Sequence, residues 1–351
     1  MKINFILPRT NNRPMGGYKI VYQYAKRLAD DGNDVHIYYL MQNKRMQLST
    51  ILKKVQGLTF GRSEYRNVNW FNLEGVKLHF DQTIDSVERI SQGKIIATHW
   101  STAKVVSESK CNDSDKFYFI QDYEIFDPMV TKDILDNTWK LPLKKIVVSK
   151  WLMQKGTEIG ISLNDMLYLP NFVDTKEFKI DKTLNTERKY ISFLWHSNPR
   201  KQAKLGIEVA KELIKKYPNL DAIMFGSNIV DHPQELKIAE NADIEQLNNI
   251  YRKSIVYFMP SSKEGWGLTG MEAMACGAAV VSVDNGGIWE YADKDSAIIV
   301  ENDKEKLVEA ISILIDRPDY RKRIISRAYE RIKNYTFDNS YQQLLKILDK
   351  N

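Results

Sequence analysis

The stretch that most constrains the fold runs from Ile255 to Gly287. An apolar run, Ile255-Val256-Tyr257-Phe258-Met259, leads into Ser261-Ser262-Lys263-Glu264-Gly265-Trp266-Gly267-Leu268. Residues 269–275 read as a helix and Cys276-Gly277 as a tight turn. A second run, Ala279-Val280-Val281-Ser282-Val283, then precedes Asp284-Asn285-Gly286-Gly287. Strand, glycine loop, helix, turn and strand in this order make a right-handed βαβ unit. Gly265 and Gly267 lie where the loop passes into the helix. Without a Cβ the backbone amides there are open to close approach, and a helix N-terminus favours an anion. Glu264 precedes the loop and Glu272 stands in the helix it opens, so two carboxylates frame an anion pocket in outline.

The same order recurs along the chain. Ile3-Asn4-Phe5-Ile6-Leu7 reads as a buried strand, and the helix after Gly16-Gly17 carries Val21, Tyr24, Ala25 and Leu28 at helical spacing before Gly32 ends it. Val35-His36-Ile37-Tyr38-Tyr39 is the next strand. A nicotinamide site is discounted here: the glycines are paired rather than spaced G-x-G-x-x-G, and Asp34 stands before the second strand rather than at its end. Residues 94–98 form a strand ending at His99, and strand ends in an open α/β sheet line the ligand crevice. Residues 116–120 and 145–149 are further strands, the first leading into Gln121-Asp122-Tyr123-Glu124.

In the second half, Tyr190-Ile191-Ser192-Phe193-Leu194-Trp195 is a strand followed by His196-Ser197-Asn198-Pro199-Arg200-Lys201. The next helix presents Ile207, Ala210, Ile214 and Tyr217. Residues 222–225 form a strand that ends in Gly226-Ser227. Residues 244–251 read as a short helix. Leu307, Ala310, Ile311 and Leu314 mark one later helix face; Tyr341, Leu344, Leu345 and Leu348 mark the last. A chain of 351 residues with these repeats suits two α/β domains, 1–170 and 171–330, closed by a helix over 331–351.

Composition narrows the class further. No apolar run approaches the roughly 20 residues of a membrane-spanning helix, and the opening residues read as a strand rather than a signal peptide. Cys111 and Cys276 have no metal or redox spacing, which fits a reducing cytoplasm, and no His/carboxylate cluster presents itself for a metal. The net charge of +6 is a mild excess that fits anionic ligands, with no nucleic-acid partner expected. Residues 41–93 are the least readable. There Lys44, Arg45, Lys53 and Lys54 flank Leu48, Ile51, Leu52 and Val55, either a basic amphipathic helix for an anionic membrane surface or a solvated face.

Residues 264–277 resemble the E-G-F-G-L-x-x-x-E-A-M-A-C-G signature of retaining glycosyltransferases of the GT-B fold, in glycosyltransferase family 4, with Trp266 in the position of the usual aromatic or small residue. Pro170-Asn171-Phe172-Val173-Asp174 resembles the family's P-N-G-V-D hinge, with Phe172 in the glycine slot. The Gln121-Asp122-Tyr123-Glu124 run is similar to a rhamnosyltransferase subset of surface-polysaccharide synthesis. The resemblance implies two doubly wound Rossmann-like domains facing across a cleft, the first for the acceptor and the second for the donor, with the C-terminal helix crossing back. It implies Glu264, His99, Arg200 and Lys204 as catalytic residues. It implies Gly16, Gly17, Gly226, Gly265, Trp266, Gly267, Leu268 and Glu272 around the donor. The family sets an arginine and a lysine four residues apart against the diphosphate, which Arg200 and Lys204 fit. Lys201 can substitute, and the glycine that should follow the lysine is displaced to Gly206, so the register stays open.

The implied reaction moves a hexose, with retention and without metal or cofactor, from a nucleoside diphosphate sugar to a saccharide or lipid-linked acceptor. The donor is UDP- or dTDP-linked in preference to GDP-linked. The implied setting is capsule or other bacterial cell-surface polysaccharide synthesis, by a cytoplasmic enzyme docked peripherally on the inner face of the membrane. Two rivals are a non-catalytic GT-B partner subunit and a sugar-nucleotide epimerase. Intact Glu264, Glu272, His99 and Arg200 weigh against the first, and the transferase type of the donor motif against the second.

Overall fold

The structure is a computed structural model, and it describes residues 1–10, 14–40, 67–125, 130–180 and 188–349. The basic segment expected at Lys44 to Val55 lies outside the described residues. The chain divides into two compact units. One holds Met1–Leu169 and Tyr341–Asn351, the other Pro170–Ser340.

In the first unit, β1 (Lys2–Leu7), β2 (Asp34–Leu40), β3 (Lys77–Gln82), β4 (Lys94–Ala97), β5 (Lys116–Ile120), β6 (Lys144–Val147) and β7 (Met166–Tyr168) form one sheet in the order β3-β2-β1-β4-β5-β6-β7. Every pairing in it is parallel. The helices between them are α1 (Gly16–Asp30), α2 (Ile84–Glu88), α3 (Trp100–Ser107), α4 (Lys132–Trp139) and α5 (Lys150–Glu158). Apolar runs such as Phe117 to Ile120 are buried along their length, as a sheet covered on both faces requires. The short edge strands β3 and β7 escaped the sequence reading, because β3 is only half-buried and its side chains alternate in polarity. Asp34 opens β2, at the end of the sheet away from the carboxyl termini of the strands, where it pairs with Lys77. That position removes it from any nucleotide crevice.

The second unit repeats the plan. Strands β8 (Tyr190–Trp195), β9 (Asp221–Gly226), β10 (Lys237–Glu240), β11 (Ser254–Met259), β12 (Ala279–Val283) and β13 (Ile298–Val300) form a parallel sheet in the order β10-β9-β8-β11-β12-β13. Around it lie α6 (Ala203–Lys216), α7 (Ile244–Lys253), α8 (Leu268–Ala275), α9 (Lys304–Asp316), α10 (Pro318–Ile332) and the start of α11 (Phe337–Asp349). Phe193, Phe258, Val281, Leu213 and Ile311 belong to one buried cluster beneath α6 and α9.

Two helix faces are rotated from the sequence expectation. Helix α6 buries Gly206, Val209, Ala210 and Leu213, leaving Ile207, Ile214 and Tyr217 at the margin. A Cβ on Gly206 would lie 2.6 Å from the Phe193 ring, so the glycine lets α6 settle against β8 on that side. Helix α11 buries Tyr341, Leu344, Ile347 and Leu348, with Ile347 where Leu345 was expected. In the first unit the Tyr341 hydroxyl donates to Asp31 at 2.6 Å and the Arg27 guanidinium lies over its ring. The two units are thus parallel-sheet, Rossmann-like α/β domains.

Candidate active site

In each sheet the strand order reverses once, and loops leaving the strands on either side of such a reversal form a ligand crevice. In the second unit the reversal lies between β8 and β11, which pair directly. Residues 196–202 leave β8 and residues 260–267 leave β11, so the two candidate donor segments meet there. The Lys201 ammonium lies 2.7 and 2.8 Å from the two carboxylate oxygens of Glu264. Both side chains are largely withdrawn from solvent, at 20% and 10% exposure. The loops are also tied through the backbone, since the amide of Ser262 donates to the carbonyl of Arg200 at 2.8 Å.

A short turn delivers Lys201 to Glu264. Pro199–Lys201 is a single 3-10 turn, capped by the Asn198 side chain on the amide of Arg200. Gln202 follows with φ 49° and ψ 45°, the left-handed conformation that favours glycine, and α6 starts next. Gln202 thus holds a conformation expected of a glycine, directly after Lys201. Lys204 is exposed on the first turn of α6. Arg200 is half-buried in the same turn as Lys201.

Glu264 is held from the other side as well. Its amide donates to Asn285 at 3.0 Å and it forms a parallel bridge with Gly286. Gly267, at φ 88°, caps α8, and the buried Tyr291 hydroxyl donates to its carbonyl at 2.7 Å. Gly287 lies so close under the loop that a Cβ would come within 2.7–2.8 Å of the backbone of Trp266. The indole of Trp266 is buried against Tyr291 and Tyr335, so the side chain anchors the loop from inside. Leu268 is half-buried at the start of α8.

Glu272, one turn into α8, is half-buried and accepts from the Tyr251 hydroxyl at 3.2 Å. Tyr251 is buried among Phe178, Phe225 and Tyr257, and burial first, then the Glu272 carboxylate, pushes its pKa far above the usual phenol value. It therefore stays a neutral donor that orients Glu272. Gly226 ends β9, where a Cβ would sit 2.3 Å from the Trp195 carbonyl, a packing reason for glycine there. His196, the first residue after β8, is exposed.

The first unit repeats this geometry between β1 and β4. Gly16 and Gly17 open α1, and His99 caps α3. The backbone amide of Ser101 donates to Nδ1 of His99 at 3.3 Å. That assigns the proton of the neutral ring to Nε2, which lies 3.4 Å from Glu124. Glu124 also accepts from the amide of Trp100 at 2.8 Å. Gln121 donates to the Gly17 carbonyl at 3.0 Å, filling the space a Cβ on Gly17 would crowd. The sequence reading named Gln121 and Glu124 only within a family-like run and Tyr251 only within a helix, gave none of them a place in a site, and did not pair Lys201 with Glu264. The signal for the first two was present, because a polar run directly after a buried strand belongs to the crevice edge. Among the described residues there is no group of three His, Cys, Asp or Glu side chains placed to hold a metal. No helix among them is long and apolar enough to cross a membrane.

With this geometry in place, comparison with known proteins adds independent findings. The family description Glycosyl transferases group 1 matches residues 174–331, within the second unit. Phosphatidyl-myo-inositol mannosyltransferase of Mycolicibacterium smegmatis is 23% identical to the chain, over 99% of this chain and 94% of that protein. Anabaena HepE, solved with UDP and glucose, superposes with a TM-score of 0.76 at 14% identity, covering 100% of both chains. Sucrose-phosphate synthase of Thermosynechococcus elongatus superposes with a TM-score of 0.74 at 14% identity, over 99% of this chain and 98% of that one. The structural likenesses establish the GT-B fold. Together with the group 1 match over the second unit, they support a GT-B glycosyltransferase.

Proposed function

We propose that this protein transfers a hexose from a nucleoside diphosphate sugar to a saccharide or lipid-linked acceptor, with retention and without a metal. The observation that carries the reading is the Lys201–Glu264 pair across the strand reversal of the second unit, beside the N-terminus of α8 and one turn from Glu272. Glu272 takes the ribose hydroxyls, since a carboxylate accepts both hydrogen bonds of a vicinal diol. The diphosphate takes Lys201 and Arg200 together with the amides of Gly265, Trp266, Gly267 and Leu268, fixed donors for the charge that builds on the leaving group. Lys201 replaces Lys204 in this assignment. Glu264 positions Lys201 and faces the sugar. Gly226 keeps the end of β9 open beside the nucleoside.

In the reaction, the bond from the anomeric carbon to the β-phosphate oxygen breaks and its electron pair leaves with the diphosphate. The acceptor oxygen bonds the anomeric carbon on the same face, and its proton passes to a phosphate oxygen. His99, oriented by Glu124, is assigned to the sugar, and Gly16 and Gly17 to the approach of substrate. A UDP-linked donor is favoured by Anabaena HepE, whose solved complexes contain UDP and UDP-glucose. A lipid-linked acceptor is favoured by the name of the mycobacterial relative, a phosphatidyl-myo-inositol mannosyltransferase. A role in cell-surface polysaccharide synthesis and the rhamnosyltransferase-like subset rest on the sequence resemblance alone.

The experiment is to incubate the protein with UDP-, dTDP- and GDP-hexoses, with and without crude lipid-linked saccharides. The reading expects nucleoside diphosphate release, accelerated by an acceptor, with the α-configured donor giving an α-linked product. Epimerised nucleotide sugar would favour the epimerase. Tight binding without turnover on any acceptor would favour a partner subunit.

A further inference from the structure

We propose that His196 is a hydrogen-bond donor to the diphosphate of the nucleotide sugar, and that it makes nucleotide affinity rise as pH falls through the imidazole range. The inference rests on the reading of the second unit as the donor site and adds a residue to it. Three observations carry it. His196 is the first residue beyond β8, the strand that meets β11 where the sheet order reverses. Its Nδ1 accepts from the backbone amide of Asn198 at 2.9 Å, and an amide can only donate, so the neutral ring carries its proton on Nε2. The residue keeps solvent access while its ring is partly withdrawn into the site, where three charged groups act on it electrostatically. Those groups are Lys201 and Arg200 on the adjacent 3-10 turn, and Glu264 on the loop after β11.

Without ligand the ring is disfavoured as a cation. Partial burial first, then the positive charge of Lys201, holds its pKa below the ordinary histidine value, against an opposing pull from Glu264. An anionic diphosphate beside the ring reverses that balance, because an opposite charge at hydrogen-bond range favours the protonated form. The bound pKa then exceeds the free one. Between the two values binding takes up a proton, so affinity strengthens as pH falls; each unit of difference is worth about tenfold below both. The hydrogen bond to Asn198 also shapes the turn, and this second role is separable. An asparagine at position 196 can accept the same amide from its side-chain oxygen, as in an Asx turn, but does not titrate.

Calorimetric titration of UDP, dTDP and GDP into the full-length protein and His196→Asn, between pH 5.5 and 8, tests the proposal. Ionisation of the nucleotide itself is common to both proteins and cancels in their affinity ratio. The wild-type advantage is expected to grow about tenfold from pH 8 to pH 5.5. Identical pH profiles would overturn the role of His196 and leave the donor site standing. Failure of the wild type to bind any of the three nucleotides would overturn the donor site itself. Should His196→Asn not fold, the imidazole signals of the wild type, which has five histidines, are followed by NMR with and without UDP. A His196 pKa unmoved by saturating UDP would then refute the proposal.

Discussion

Lys201 and Glu264 form a two-point ion pair, at 2.7 and 2.8 Å, between loops that leave neighbouring strands of the second sheet. Sixty-three residues separate them in the chain, and parallel pairing of β8 with β11 brings their loops together. Removing the ammonium strands a carboxylate that is 10% exposed. Lys201→Ala should therefore cost about 1–3 kcal/mol of stability, less than a fully buried pair because the crevice is open to water. It should also abolish nucleoside diphosphate binding, whereas Lys204→Ala should change neither quantity. Urea unfolding and calorimetry on the two variants check this. Equal effects would return the diphosphate contact to the helix lysine.

The Tyr251–Glu272 contact separates orientation from binding. Glu272→Ala is expected to weaken nucleoside diphosphate affinity by about 1.5–3 kcal/mol, the loss of hydrogen bonds to a charged group. Tyr251→Phe keeps the carboxylate but removes its buried donor, and should cost about 1 kcal/mol. Affinities for the nucleoside diphosphate and for the corresponding 2′-deoxy compound, compared across wild type and both variants, decide the point. The preference for the ribose form should vanish with Glu272→Ala.

Loop geometry makes a pair of opposite expectations. A Cβ at Gly287 meets three backbone atoms of Trp266 within 2.7–2.8 Å, so Gly287→Ala should destabilise by about 1–3 kcal/mol and weaken nucleotide binding by shifting the loop. Gln202 holds a left-handed conformation, and its buried amide oxygen accepts no hydrogen bond among the described residues. Gln202→Gly relieves both costs and should raise stability by up to about 1 kcal/mol. Thermal unfolding of the two variants reads the difference in sign.

The thiols should be silent in the folded protein. Cys276 is buried, its Sγ donates to Asn248 at 3.2 Å, and burial first, then the Glu272 carboxylate, pushes it from 9.0 to about 12. Burial also raises Cys111. Native protein at pH 8 should not react with Ellman's reagent, while denatured protein should show both thiols. The sign for stability follows. Above the unfolded value the denatured thiol loses its proton while native Cys276 keeps it, so the folded state weakens as pH rises from 9.0 toward about 12. Cys276→Ala should flatten that limb.

How much of this was legible in the sequence depends on where each residue's partner lies. The two doubly wound sheets were readable, because five-residue apolar runs such as 279–283 alternating with helical patterns leave few other folds. Glycine punctuation located the α8 loop, since Gly267 does adopt positive φ. The turn that carries Lys201 to Glu264 was not readable, because Gln202 occupies a backbone conformation that only a glycine would have announced. Glu124 and Tyr251 were missed for another reason. Their partners, His99 and Glu272, come from other elements, and only the folded chain brings them within reach. Half-buried β3 alternates in polarity and β13 is only three residues long, so neither stands out.

The central claim, that the strand-reversal loops of the second unit hold the donor nucleotide, is tested most directly by photolabelling with azido-uridine and azido-guanosine diphosphate sugars. Peptide mapping follows, with and without excess unlabelled nucleotide sugar. The account predicts protectable label on the peptides carrying Gly226, Tyr251 or residues 264–276. Protectable label confined to residues 1–169, or no protectable label with either base, would contradict it.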